Sequence, residues 1–509
     1  MTGHTVIRLR PFDEVGGSPA PGHRVEVPPL AVAIDVGSSS IRAGVYDGRG
    51  RPIPGTHVRT EHALVFSKNG RKSVAADELV ESVSTTLDLL EGTAGRWLGS
   101  VVAVGMTCFL HSIVGLDARG RPVTPLLSWA DTSSGASAAA VRSRINANAA
   151  RQRTGVPIHG SYWPAKIESL RSATEPPADR WVGFSDFLIE RFTGVSVMTR
   201  SMASGTGLLN RFSGSWDTEF LDALALSPTA LPGLVDDRSP LPPLRPEYAR
   251  RWPRLAAAPW YGAWGDAACG TVGLSCTSPT SAALMIGTSG AMRVLLPGTL
   301  PTVPDGLFAY GLLDRTLVGG QLSEGGAVAA WVSRLTGRSL RALERGASAL
   351  LADDHGLTIL PWLAGERSLG YRDEAVGVIE GLTLTTDPAA LYRAMIEAIS
   401  LYVARVDARL TSIVGASPRI VASGRALLSS PLWLQVLADS LGRQIGIARV
   451  HEASSRGAAV LALLSSGTLD TIDDVPELVV RVVAPDPMAH ERYRAAMRRQ
   501  DGLDQRVLR

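Results

Sequence analysis

The sequence predicts an α/β fold made of two related halves, and three observations carry that expectation. Apolar runs of strand length alternate with segments of helical spacing, one strand–turn–strand pattern occurs twice, and 509 residues exceed what one compact core supports. With 45% hydrophobic and 19% charged residues, the chain has ample material for cores, which excludes wholesale disorder.

Residues 1–28 mix Gly, Pro and charge without a sustained period, including Gly16-Gly17-Ser18-Pro19-Ala20-Pro21, and read as a flexible arm. From Leu30 the text becomes apolar Ala31-Val32-Ala33-Ile34, then Asp35-Val36-Gly37-Ser38-Ser39-Ser40, then Ile41-Arg42-Ala43-Gly44-Val45-Tyr46 before the turn Asp47-Gly48. This predicts strand, tight turn, strand, turn. Leu79, Val80, Val83, Leu87 and Leu90 have helical spacing, and Val101-Val102-Ala103-Val104 returns to a buried strand.

The first pattern is echoed 250 residues later by Leu284-Met285-Ile286-Gly287-Thr288-Ser289-Gly290, again followed by a strand, Met292-Arg293-Val294-Leu295-Leu296. Further on, Asp387 and Pro388 suit the N-cap and first position of a long helix whose inward face is Leu391, Met395, Ala398 and Tyr402. A strand over Arg419–Ser423, a turn at Gly424 and a helix through Trp433, Leu437 and Leu441 follow. The boundary between halves falls near 268–280, giving domains over 29–272 and 273–470, with 471–509 as a C-terminal helical appendage.

Lys and Arg total 51 against 48 Asp and Glu, so the net charge is only +3 and no nucleic-acid partner is implied. The only lysines are Lys68, Lys72 and Lys166. Cys108, Cys269 and Cys276 are scattered without C-x-x-C spacing, which suggests neither a disulfide framework nor a thiolate zinc site. No uncharged apolar stretch reaches the roughly 18 residues a membrane helix needs, and residues 1–28 lack the apolar centre of a secretory signal. The expected location is the cytoplasm, with no membrane partner.

Small residues in a turn between strands let backbone N–H groups and hydroxyls approach an anion, so two such turns could hold a polyphosphate. Neither the Walker pattern nor the full G-x-G-x-x-G pattern is present. Asp35, at an apolar strand end, needs a cation or donors, and either a nucleotide-borne magnesium ion or its own turn would satisfy it. Asp266, in Ala263-Trp264-Gly265-Asp266-Ala267-Ala268, is placed to start a helix. As a helix N-cap it needs no further role, and as a general base it would accept the proton of a hydroxyl attacking a γ-phosphoryl group. The residues alone leave both open.

Together these segments resemble the FGGY-type carbohydrate kinases of the actin-like ATPase superfamily over about residues 30–470. Ala33-Ile34-Asp35-Val36-Gly37-Ser38-Ser39-Ser40 is similar to the first phosphate strand pair, Gly265-Asp266 to the catalytic segment and Gly287-Thr288-Ser289-Gly290 to the second phosphate turn. Gly365-Glu366-Arg367-Ser368, Ser423-Gly424-Arg425-Ala426 and Gly457-Ala458-Ala459 match later family segments. Gly105-Met106-Thr107-Cys108-Phe109-Leu110-His111-Ser112, Trp129-Ala130-Asp131-Thr132, Tyr162-Trp163-Pro164-Ala165-Lys166 and Ser201-Met202-Ala203-Ser204-Gly205-Thr206-Gly207 look most like the gluconate kinase-like branch.

The resemblance implies two actin-like (ribonuclease H-like) domains around a central cleft, the first binding sugar and the second nucleotide. It implies transfer of the γ-phosphoryl group of ATP, with Mg2+, to a hydroxyl of a small sugar, sugar acid or polyol, gluconate first and xylulose, another polyol or a cyclitol as alternatives. Asp266 would be the base; Asp35 and Asp266 would serve the metal; His111, Trp129, Asp131 and Lys166 would line the sugar pocket; Gly37, Ser38, Ser39, Ser40, Gly287, Thr288, Ser289, Gly290, Gly424 and Arg425 would hold the nucleotide. Lys166, in a chain that otherwise uses Arg, reads as a surface lysine, a charge facing a substrate carboxylate, or a charge facing the first half's core loops. Ser133 stands where the family often has Arg, and Arg425 where it tends to have a second Gly. Those departures keep a catalytically impaired nucleotide-binding regulator as the rival reading. A homodimer is left open.

Overall fold

In the computed structural model, residues 29–67, 70–173, 177–450 and 452–507 are described, so the arm expected over residues 1–28 lies outside them. The chain divides into two compact units: Met1–Ser275 with Tyr310–Asp314 and Glu452–Pro476, and Cys276–Ala309 with Arg315–His451 and Glu477–Arg509.

The first unit is built on a five-stranded sheet ordered Trp260–Gly265, Val101–Cys108, Leu30–Val36, Ser40–Asp47, Val58–Glu61. Leu30–Val36 runs antiparallel to Ser40–Asp47 through the Gly37 turn and parallel to Val101–Cys108, which is parallel to Trp260–Gly265. All seven residues of Leu30–Val36 are buried, as a central strand covered on both faces requires. The helix Ala76–Leu98 buries Leu79, Val80, Val83, Leu87 and Leu90, the stripe expected from their spacing.

The second unit repeats this plan. Its sheet is ordered Phe308–Leu312, Arg315–Leu322, Gly290–Pro297, Ser281–Ile286, Arg419–Ser423, Ile445–Ala448, Val479–Val483. Ser281–Ile286 is antiparallel to Gly290–Pro297 and parallel to Arg419–Ser423, which is parallel to Ile445–Ala448. The echo read in the sequence is therefore a repeated topology. The long helix spans Pro388–Val414; Asp387 caps it by accepting the Ala390 N–H at 2.8 Å, and Gly415 ends it at φ 75°.

Two expectations about organisation change. Residues 471–509 are not a separate appendage: Val479–Val483 extends the second unit's sheet, and Tyr493, Ala496 and Leu503 of the helix Pro487–Val507 enter its core. Conversely, Glu452–Pro476 belongs to the first unit. The reason is steric. The helix Ala453–Ser465 crosses Asp266–Gly273 so closely that a Cβ on Gly457 would overlap the Cys269 carbonyl and one on Gly273 the Ala453 carbonyl. A Cβ on Gly105 would likewise strike the Ala458 carbonyl. The three cysteines are free, buried thiols.

This crossing predicts that Gly457→Ala lowers stability by at least about 2 kcal/mol, because backbone, not a flexible side chain, would have to move. Denaturant titration of the variant against the parent chain measures it.

Candidate active site

The parallel strands of the first unit end together, which puts several polar groups at one sheet edge. Register pairs Asp35 with Thr107 and Trp264 with Thr107, so Asp35 and the residue after Gly265 lie at the same end, two strands apart. Asp266 is the first residue of the helix Asp266–Gly273 and Gly265 its N-cap, so the carboxylate is not itself the cap. Asp266 is half-buried, with Oδ1 accepting the Ala267 N–H at 2.9 Å.

Asp35 is 3% exposed. Burial, first, pushes its pKa up to about 7, the Asp266 and Glu452 charges add to that, and Arg42 opposes it. Arg42 is its direct cross-strand neighbour, with Nη1 at 3.3 Å from Asp35 and Nε at 3.1 Å from Glu452. Several oxygen donors raising one another's proton affinity are the donor set a hard divalent cation takes, so Asp35 and Asp266 fit Mg2+ chemically. Beside them, Gly37 donates its N–H to the Ser40 carbonyl at 3.0 Å, closing the turn. Gly37, Ser38 and Ser39 present surface, while Ser40 is fully buried as the first residue of the next strand. The Ser40 hydroxyl is buried there without a hydrogen-bond partner.

His111, Trp129 and Asp131 are brought to one region. Leu110 lies where a Cβ on Gly205 or on Gly265 would meet it, which sets the 110–111 loop against the strand leading to Asp266. His111 adopts φ 66°, sparsely populated for a side-chain-bearing residue, with Nδ1 2.7 Å from the Gly205 carbonyl. Its ring meets Tyr162 edge-on, centroids 5.0 Å apart, and Tyr310 lies at 5.9 Å. Tyr162 and Tyr310 share a hydroxyl–hydroxyl bond of 3.0 Å. Trp129 is half-buried in a turn. Asp131 is buried and accepts from Ser133, Ser134 and the Lys72 N–H, so Ser133 is a ligand of the carboxylate.

Lys166 is not a surface lysine: it is wholly buried, and Nζ donates to the carbonyls of His111 at 2.7 Å and Ser128 at 2.8 Å, contacts that match the reading of a charge facing the first half's core loops. A compact ammonium with several donors suits two converging carbonyls, so Lys166 staples the His111 loop to the turn carrying Trp129 and Asp131.

In the second unit, Gly287 donates to the Ser289 carbonyl at 2.9 Å; Gly287, Thr288 and Ser289 present surface and Gly290 is buried, as in the first turn. The helix Gly326–Thr336 starts against this turn, with the Gly326 and Ala327 N–H groups bonding the Gly287 and Thr288 carbonyls. Gly424, at φ 103°, follows the neighbouring parallel strand, and a Cβ there would overlap Ile286 backbone, so only glycine fits. Arg425, the first residue of the helix Arg425–Leu428, is exposed.

Sequence reasoning missed four contributors. Arg42 was legible, because a hairpin closing at Gly37 puts it opposite Asp35. Glu452, Tyr310 and Glu324 had no local signal. Glu324 is buried beside the second turn, accepts the Ala364 N–H at 2.7 Å, and is pushed by burial up to about 8. Among the described residues, Asp353, His355 and Glu397 also have metal-ligand spacing. Arg499 pairs with Asp353 and Arg393 with Glu397, so that cluster is already neutralised by cations.

Two predictions follow from these supports. Lys166→Met leaves two buried carbonyls without their donor and is expected to cost about 2 kcal/mol, measured by denaturant unfolding. Asp237, buried and accepting the N–H groups of Ser201 at 2.8 Å and Leu313 at 2.7 Å, is raised by burial from 3.8 to about 6. The folded chain therefore holds this proton more tightly than the unfolded one, and the stability it adds is present below pH 3.8 and lost as pH rises through about 6. Melting temperatures across pH 4–7 are expected to show Asp237→Asn gaining on the parent chain as pH rises.

Residues 30–273 match the N-terminal domain, and residues 280–466 the C-terminal domain, of the FGGY family of carbohydrate kinases. The gluconokinase of Bacillus subtilis (strain 168) is 26% identical over 413 residues, covering 77% of this chain and 80% of that one. The xylulose kinase of Klebsiella pneumoniae is 27% identical over 431 residues, covering 82% and 86%. The crystal structure of gluconate kinase from Lactobacillus acidophilus superposes with a TM-score of 0.84 at 23% identity, covering 94% of this chain and 98% of that one, and so shares the fold. The chain thus has the two-domain, actin-like α/β fold of the sugar kinases and belongs to the FGGY family of carbohydrate kinases, ATP-using phosphotransferases with an alcohol group as acceptor.

Proposed function

We propose that the protein phosphorylates a hydroxyl of a small open-chain polyhydroxy acid, gluconate being the first candidate, at the expense of ATP with Mg2+. The observation that carries this reading is the sheet edge of the first unit, where Asp266 opens a helix beside Asp35 and the Gly37 turn. Asp266 accepts the proton of the acceptor hydroxyl as its oxygen attacks the γ-phosphorus. Mg2+ supplies charge neutralisation on the transferring phosphoryl group. Asp35 would hold that ion. Within the first unit Gly37, Ser38 and Ser39 offer backbone to phosphates, and within the second Gly287, Thr288, Ser289 and Gly424 offer close backbone approach to nucleotide.

The acceptor is bound by His111, Trp129, Tyr162 and Asp131, whose imidazole, indole, phenol and carboxylate suit alternating hydroxyl and C–H faces. The choice of gluconate over xylulose is supported by two gluconokinases among the similar curated proteins, each near 25% identity. A xylulose kinase is matched at 27%, so a pentulose is the competing acceptor.

An ADP-release assay over sugars, sugar acids, polyols and cyclitols tests this. The expected outcome is gluconate-dependent turnover that falls at least about 10³-fold in Asp266→Asn while the affinity for ATP stays within about threefold. ATP binding without turnover on any acceptor would replace the kinase by a nucleotide-binding regulator, and turnover with xylulose alone would change the acceptor.

A further inference from the structure

We propose that Glu452 is a positioning residue for phosphoryl transfer, acting through Arg42: it anchors the guanidinium between the Asp35 carboxylate and the Gly37 turn. The inference rests on the proposed reading of that turn as a phosphate site.

Register sets Arg42 opposite Asp35, and a Cβ built on Gly37 would lie 3.5 Å from Arg42 Nη1, so the guanidinium lies over the first residue of the turn. Asp35 holds it at Nη1 and Glu452 at Nε, 3.3 and 3.1 Å away. Asp35 accepts a hydrogen bond from Nη1, while Glu452 lies within ion-pair distance of Nε without a hydrogen bond to it, so two carboxylates on different sides of the guanidinium limit its pivot. Phosphate recognition depends on that orientation, because the donors of a guanidinium are directional.

Glu452 comes from far along the chain, immediately before the helix Ala453–Ser465, and the residues after it make one continuous brace. Ser454 Oγ donates to the Asp266 carbonyl at 3.4 Å, and the Tyr46 hydroxyl donates to Ser455 Oγ at 2.9 Å. Arg456 Nε donates to the Gly50 carbonyl at 2.9 Å and its Nη1 to that of Gly273 at 2.6 Å. Tyr46 lies on the same strand as Arg42, and Gly273 ends the helix that Asp266 begins. One helix start therefore grips both the strand carrying the phosphate-side arginine and the helix carrying the base. Glu452 is the member of this brace whose partner is a charged group at the turn itself.

The test separates positioning from mere support by a double-mutant cycle on the full chain, read as Mg·ADP affinity by calorimetry. Glu452→Gln is expected to weaken binding about tenfold, Glu452→Asp by less than about threefold, and Glu452→Gln added to Arg42→Gln by less than about twofold. Melting temperatures of the single variants should stay within a few degrees of the parent. Unchanged affinity in Glu452→Gln, an equal loss in both backgrounds, or a Glu452→Gln chain that does not fold would each overturn the assignment. A parent chain that fails to bind Mg·ADP overturns the nucleotide reading itself, a failure visible before any variant is compared.

Discussion

Backbone contact without room for a Cβ is the constraint on which the first unit depends. Where Gly457 meets the Cys269 carbonyl and Gly273 meets that of Ala453, two helices approach as closely as main chain allows. The crossing fixes the axis of Asp266–Gly273, and with it the direction in which the first residue of that helix presents its carboxylate. Arg456, buried and donating to the Gly273 carbonyl, locks the far end; burial lowers its pKa to about 10, so it still carries its charge at neutral pH. The placement of Asp266 at one end of the helix is thus referenced to packing at the other.

The two units use one topology for different ends. Asp35-Val36-Gly37 in the first corresponds to Met285-Ile286-Gly287 in the second, each strand antiparallel to the next and parallel to a third. Acid at the strand end appears only in the first copy. In the second, the third strand is followed by Gly424, whose conformation and closeness to Ile286 exclude any side chain. The two turns thus share a topology, with an acidic strand end in the first unit and close backbone approach in the second.

Much of this was legible because it is local. Strand–Gly–strand hairpins, the Asp387-Pro388 helix start and the Arg419–Ser423 strand are set by residues within a few positions of one another, and the structure follows them. Asp266 was legible as a helix opener, although its own Gly265 takes the cap. Lys166 was left among three readings because its partners, two carbonyls 38 and 55 residues away, are invisible to composition. The tail was misjudged for the same reason: the helix Pro487–Val507 is polar enough to read as a surface addition, yet Tyr493 and Leu503 complete a core assembled from strands two hundred residues earlier. Glu452 and Tyr310 reach their places only through topology.

That topology has a consequence for how the chain is made. The first unit is discontinuous, and its closing segment Glu452–Pro476 leaves the ribosome after nearly the whole second unit. Until then the nascent amino-terminal half lacks the helix that covers Gly105 and seats Asp266–Gly273, and it must wait with apolar surface exposed. Completion of the acidic sheet edge therefore waits until nearly the whole second unit has been made, and a chain halted before Glu452 would carry an unfinished half rather than a complete single lobe.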